Sequence, residues 1–215
     1  MNDIGERINY VLVGRTASDL TAKYGLNQNW VQLLKKGKGT YKLIFPLILC
    51  ENISADWLLS GYGQPYRVNH WFDAGQMSKA VIDLLEDIKS NVYLIGGDGV
   101  LIWKRAFLEW KAGEMTEFIA YEAHFGPFNK ALVSRLKQPG INVRAPYIDP
   151  ETTKQLKSGE VGTYHLFGYP HEVDGIFTVQ DALHSLSEDE IDAVIAESTS
   201  APDPLELSLV RQFRD

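Results

Sequence analysis

Gln28, Asn29 and Gln32 stand immediately ahead of Lys35, Lys36, Lys38 and Lys42. A side-chain amide carries a donor beside an acceptor, so Asn or Gln can make paired hydrogen bonds to adenine N6 and N7 in the DNA major groove, which admits a helix. Lysines at the end of such a helix and in the loop after it can meet phosphates, which fixes register without reading sequence. The same residues also suit a plainer role, the solvated polar face of a small helical bundle. The surrounding chain decides between the two.

The formal charge of −7 argues against a nucleic-acid partner only if it is spread evenly. Residues 1–68 carry eight Lys/Arg against five Asp/Glu, a net of +3, and residues 69–215 carry 13 against 23, a net of −10. A basic head on an acidic body suggests a nucleic-acid module joined to something else. The composition, 45% hydrophobic and 23% charged, is that of an ordinary globular chain. A single cysteine, Cys50, excludes a disulfide framework and a Cys-based zinc cluster. No apolar run approaches the roughly 20 residues that span a bilayer, and the opening residues MNDIGERINY are not a signal peptide. The expectation is a cytoplasmic protein without a membrane partner.

The elements that would hold the amides are five short helices. Ile4, Ile8, Val11 and Leu12 keep the i, i+4, i+7, i+8 spacing of one apolar face. Thr16 is placed to cap a second helix through Tyr24, and Gly25 supplies the positive φ that ends it. Asn27 caps a third helix, which turns Val31 and Leu34 inward and stops near Gly37. A fourth, Tyr41 to Cys50, is almost wholly apolar and must be buried, with Pro46 either kinking it or marking its start. Ser54 caps a last short helix that runs into the turn residues SGYG.

Residues 61–75 have turn residues and no period, which reads as a linker. A helical stripe follows at Met77, Ala80, Val81, Leu84, Leu85 and Ile88. Beyond Asn91, two apolar runs flank the glycine-rich GGDG turn (96–99) as a β-hairpin, and residues 117–125 alternate with Ile119, Tyr121, Ala123 and Phe125 on one side. A helix at 127–137, an extended segment at 141–148 and strands at 162–170 and 174–179 come next. Ser187 and Glu190 form a capping box for a helix to Glu197. A joint at 198–204 leads to a short amphipathic helix at 205–213.

Residues 17–36, ASDLTAKYGLNQNWVQLLKK, resemble the helix-turn-helix of lambdoid phage repressors, with apolar Leu20, Tyr24, Leu26, Val31 and Leu34 and with Gly25 in the turn. Residues 53–66, ISADWLLSGYGQPY, are similar to the end of the same domain in CI-type repressors, in the family's order and spacing. The resemblance covers about the first 65 residues. It implies base readers at Gln28, Asn29 and Gln32, with Asn27 at the cap and Trp30 against a thymine methyl or the sugar-phosphate edge. It implies phosphate contacts from Lys35, Lys36, Lys38, Thr40 and Lys42. The family's phosphate-clamping Gln at the first position of the second helix is replaced here by Ala17, with Thr16 and Ser18 as substitutes. Thr21 stands where the family has a small Ala.

Other constellations carry less. Many such repressors cleave themselves at an Ala-Gly bond with a Ser-Lys dyad. Ala112-Gly113 lies in the strand region rather than in a linker, and Ser134 and Lys157 have no supporting motif. No helix opens behind the GGDG turn, as a dinucleotide loop requires. His165, His171 and Glu172 match no familiar metal spacing. Cys50 reads as a small core residue. Trp103, Phe107, Trp110, Phe118, Tyr121 and Phe125 read as core, with a ligand cavity as the alternative.

The expectation is therefore an N-terminal all-α five-helix helix-turn-helix domain joined to a C-terminal mixed α+β domain. Residues 1–68 would be the DNA-binding head, 69–76 the linker, 77–197 an oligomerisation or sensor domain, and 198–215 the joint and last helix. The expected function is a sequence-specific transcription regulator, a repressor on double-stranded operator DNA, with no catalytic residue, cofactor or metal. One head holds too few cations for tight binding, so a homodimer or higher even oligomer is expected, through the 77–88 stripe or the 205–213 tail. The alternatives are a regulator whose body binds a small-molecule or protein effector, and a protein-interaction adaptor that no longer binds DNA.

Overall fold

The computed structural model describes residues 3–24, 28–38, 41–85, 91–95, 97–111, 114–146, 148–163 and 185–199. The chain is α+β, with helices on both faces of a mixed five-stranded sheet and further helices ahead of it. No helix among the described residues is long and apolar enough to cross a membrane.

Helices α1 (Ile4–Val11), α2 (Ala17–Tyr24), α3 (Gln28–Lys35), α4 (Tyr41–Cys50) and α5 (Ala55–Ser60) come first. Ile8, Val11, Leu20, Val31, Leu34, Leu47 and Leu58 bury their side chains in one cluster between them. Local signals set their ends. Asp3 caps α1 by accepting from the Glu6 N–H at 2.8 Å, and Ser54 caps α5 by accepting from the Trp57 N–H at 3.3 Å. Gly61, at φ 84°, closes α5 in the left-handed region. Pro46 does not mark the start of α4, which begins at Tyr41. Gly25 and Asn27, between α2 and α3, lie outside the described residues.

The sheet order is β1-β4-β3-β2-β5, with β1 at Asn69–His70, β2 at Asn91–Ile95, β3 at Gly99–Lys111, β4 at Glu114–Phe125 and β5 at Asn142–Arg144. The three central strands are antiparallel, and the edge strands β1 and β5 join in parallel. The expected hairpin around residues 96–99 is present, with Ile95 opposite Gly99. A Cβ at Gly99 would lie 2.2 Å from the Phe125 ring, so only glycine fits there.

Alternation divides the sheet into two faces. Val92, Leu94, Val100 and Ile102 meet Met77, Val81 and Leu85 of α6 (Ala74–Leu85), Leu132 and Leu136 of α7 (Lys130–Leu136) and Ile191 of α9 (Glu188–Thr199). Tyr93, Ile95, Leu101, Ala123 and Phe125 meet Leu156 of α8 (Pro150–Ser158) on the other face.

Three expectations change. The 77–88 stripe spends Met77, Val81 and Leu85 on the chain's own core, which leaves them nothing to offer a second subunit. Within the segment read as a linker, Tyr66 is buried in the helical core, Asn69 and His70 form β1, and Ala74 already opens α6. Helix α8 has no counterpart in the periodicity, because its apolar content is slight. Its caps were the available signal: Asp149 accepts from the Thr152 N–H at 2.9 Å, Pro150 takes the first turn, and Gly159 closes the helix at φ 78°. The Ser187–Glu190 capping box forms as expected. The strand expected at 162–170, beyond Thr163, the strand expected at 174–179, the Ala112-Gly113 bond and the 205–213 tail lie outside the described residues.

Candidate nucleic-acid interface

Helix α3 is the element on which the candidate residues depend. Val31 and Leu34 are fully buried against α1 and α2, which fixes which side of the helix faces out. Asn29, Gln32, Leu33 and Lys36 are all exposed, at the i, i+3, i+4, i+7 spacing of a single row. The structure thus brings Asn29 and Gln32 together on one solvent face and continues it with Lys36 and the exposed Lys38. Gln28 and Trp30 belong to the same helix and Lys42 to the first turn of α4, while Asn27 and Thr40 lie outside the described residues.

Leu33, 40% exposed in the middle of this row, is the residue sequence reasoning passed over. The signal was there, because it lies four residues after Asn29 and three before Lys36. An apolar side chain among amides on an open face has an obvious nucleic-acid counterpart, the thymine methyl group.

Lys35 is used differently. It is half-buried, its ammonium reaches the Arg15 carbonyl at 3.4 Å, and its own carbonyl accepts from the Asn9 amide at 2.8 Å. Its contacts brace α3 against the α1–α2 junction rather than reach outward. The loop after α3 is held by a close approach of two backbones: a Cβ on Gly5 would lie 3.0 Å from the Gly37 nitrogen, and Gly37 itself has φ 67°.

At the start of α2, Thr16 and Asp19 form a reciprocal cap. The Thr16 N–H and hydroxyl both donate to the Asp19 carboxylate at 2.7 Å, and the Asp19 N–H donates to the Thr16 hydroxyl at 3.1 Å. Both donors of Thr16 are committed within the helix, beside a carboxylate that would repel a phosphate. Of the two substitutes for the missing Gln, Ser18, which is exposed, is the better placed.

Buried charges lock the layer from behind. Arg15 forms a bidentate pair with Glu51, and Arg7 donates from Nε to the Leu58 carbonyl at 2.7 Å and from Nη2 to the Leu59 carbonyl at 3.0 Å. The latter contact satisfies carbonyls at the end of α5, where a cation suits the helix dipole.

The set-aside residues fall elsewhere. Ser134 and Lys157 sit on α7 and α8, which pack on opposite faces of the sheet, and Lys157 pairs with Asp98. That arrangement forms no dyad. His165, His171 and Glu172 lie outside the described residues, as do the side chains of Cys50, Trp103, Phe107, Trp110 and Phe118, while Phe125 is core and Tyr121 packs beside it. Comparison with family models, with curated proteins and with solved structures gives no match to this chain.

Proposed function

We propose that the protein is a sequence-specific DNA-binding transcription regulator, a repressor of the phage CI type, in which residues 1–68 form a five-helix helix-turn-helix domain. The observation that carries the reading is the outward row of α3, Asn29, Gln32, Leu33 and Lys36, on a helix whose opposite side is anchored by the fully buried Val31 and Leu34. Such a row offers amide pairs for adenine, a methyl contact for thymine and a cation for phosphate at the spacing of one groove-facing surface. The protein acts by occupying an operator, without chemistry. Two heads are needed for tight binding at physiological salt, so the operator is near-palindromic, with half-sites about 34 Å apart or a multiple of it, and the protein is a homodimer or higher even oligomer.

The test is a gel shift of the full chain with the DNA upstream of its own coding region, in excess competitor DNA and at several salt concentrations. One retained fragment, with affinity falling linearly on a log scale of salt, is the expected result. Equal retention of all fragments would overturn sequence-specific reading, and retention of none returns the chain to the adaptor reading.

A second reading adds an effector to the same regulator. A groove of ≈ 350 Å³ opens between the end of α7, β5 and the start of α9, with Leu136, Ile141, Val143 and Ile191 as apolar lining and Asn142 and Ser185 as polar partners. That size falls at the small end of ligand sites. A thermal-shift screen against metabolites tests it: a raised melting temperature that is lost in Ile191→Trp supports an effector.

A further inference from the structure

Among the described residues, the helical layer and the sheet meet along the β3–β4 pair and around Tyr66. Strands β3 and β4 continue as a paired ribbon well beyond the part of β3 that β2 covers, since β2 pairs only with Gly99–Trp103 while the β3–β4 register runs on to Lys111 and Glu114. This strand pair reaches the helices: β4 packs on α4 and α2, and β3 packs on α4. Helix α4 is accordingly covered on two sides, with Ile44 and Leu47 in the helical core and the ribbon beyond, which accounts for its nearly unbroken apolar sequence. The Glu51 carboxylate, just past the end of α4, is near enough to the Tyr121 hydroxyl of β4 to oppose its ionisation.

The second meeting place is Tyr66. Its side chain is part of the helical core, and its backbone bridges Ile53. Its N–H donates to the Gly159 carbonyl at 3.0 Å, and its ring fills the space beside Gly162, where a Cβ would lie 2.3 Å from the ring edge. Flanking bonds stiffen the connection: the Ser54 N–H donates to the Pro65 carbonyl at 2.8 Å and the Arg67 N–H to the Asn52 carbonyl at 2.7 Å.

We propose that these two contacts seat the helical layer on the sheet, so that α1–α5 and β1–β5 move as one body and the sheet sets the attitude of α3. The path to α3 is short and polar. The ribbon holds α4, Glu51 holds Arg15, and the Arg15 carbonyl holds the Lys35 ammonium at the end of α3. A displacement of the ribbon or of Tyr66 is transmitted to α3 along this path, because packed interiors shift as units rather than deform. A head hung on a free tether would show no such dependence. The inference stands apart from the DNA reading, since it concerns only how the two layers are joined.

Hydrogen exchange of the full-length chain, followed peptide by peptide in rising urea, tests it without DNA. In the parent protein, α1–α4 and the β2–β3 core are expected to exchange through one shared opening, with the same dependence on urea. Gly162→Ala, which drives a Cβ into the Tyr66 ring, and Tyr121→Phe, which removes the β4 hydroxyl that senses Glu51 at the end of α4, should each speed exchange in α3 by roughly tenfold or more while Val92–Leu94 and Val100–Ile102 stay protected. Should Gly162→Ala fail to fold, Tyr121→Phe reads the same dependence from the other contact. Separate openings in the parent chain, or α3 exchange unchanged in the folded variants, would overturn the proposal.

Discussion

Arg15 and Glu51 face each other in a bidentate ion pair, Nη1 to Oε1 at 2.7 Å and Nη2 to Oε2 at 3.0 Å, with their side chains 1% and 2% exposed. The pair ties the α1–α2 junction to the end of α4. Its two charges depend on each other, so deleting one strands the other in the interior. Glu51→Ala should cost about 3–5 kcal/mol in urea unfolding, whereas replacing both residues together by Met and Leu should cost much less than the two single losses added. Additive losses would show that the pair is not energetically coupled.

Leu33 offers a sharper test of the α3 face. Replacing thymine by uracil removes only the methyl group from the groove. At one operator position that change should weaken the parent protein several-fold and leave Leu33→Ala indifferent, since the methyl has then lost its partner. Equal sensitivity in both proteins would remove Leu33 from the reading surface.

Gln32 and Lys36 lie four residues apart on the same row and should fail in different ways. Gln32→Ala should lower affinity by about 1–3 kcal/mol for the matched base pair and relax preference there. Lys36→Ala should weaken every sequence alike and reduce the salt slope by about one unit. A Gln32 variant that loses affinity uniformly would mean that this helix does not read bases.

Alkaline pH should loosen the fold from the sheet side. Burial, then Tyr93 and Glu51, hold the Tyr121 hydroxyl well above its ordinary value, and burial raises Tyr93 against the opposing pull of Arg144. Folding therefore keeps both phenols protonated where the unfolded chain ionises. Their stabilisation is full below about pH 10 and is lost as pH rises further. Urea midpoints measured from about pH 9 to about pH 11 should fall, and Tyr121→Phe should flatten that fall. A Tyr121→Phe chain that falls as steeply as the parent would assign the alkaline loss to other groups.

Much of the helical layer was legible because its signals are local. Ile8, Val31 and Leu34 declared their faces by spacing, and Thr16 and Ser54 declared helix starts by type. The same holds for the hairpin at Ile95 and Gly99. What stayed hidden depends on partners far along the chain. No local pattern tells that Tyr66 packs beside Gly162, or that Met77, Val81 and Leu85 cover a sheet face rather than a second subunit. An amphipathic stripe reports that something covers it, never what. Leu33 was hidden for the opposite reason. An apolar residue beside buried Leu34 looks like core until the burial of its neighbours fixes the rotation of the helix. Helix α8 was written in its caps and not in its periodicity, and a reading led by hydrophobic spacing passes over such a helix.

The strand order also bears on how the chain reaches this state. Strands β2, β3 and β4 follow one another and pair through short turns, so the centre of the sheet can assemble as soon as it leaves the ribosome. The edge strands cannot. Asn69 must wait for His124, and Asn142 must find Asn91, each across a long loop of chain. Before β3 and β4 are made, α4 lacks the strands it packs on in the folded chain, so a nascent chain of that length is expected to self-associate. Truncations that end before residue 125 are therefore expected in inclusion bodies, while the full chain, which adds the α9 cover of the sheet, is expected in the supernatant.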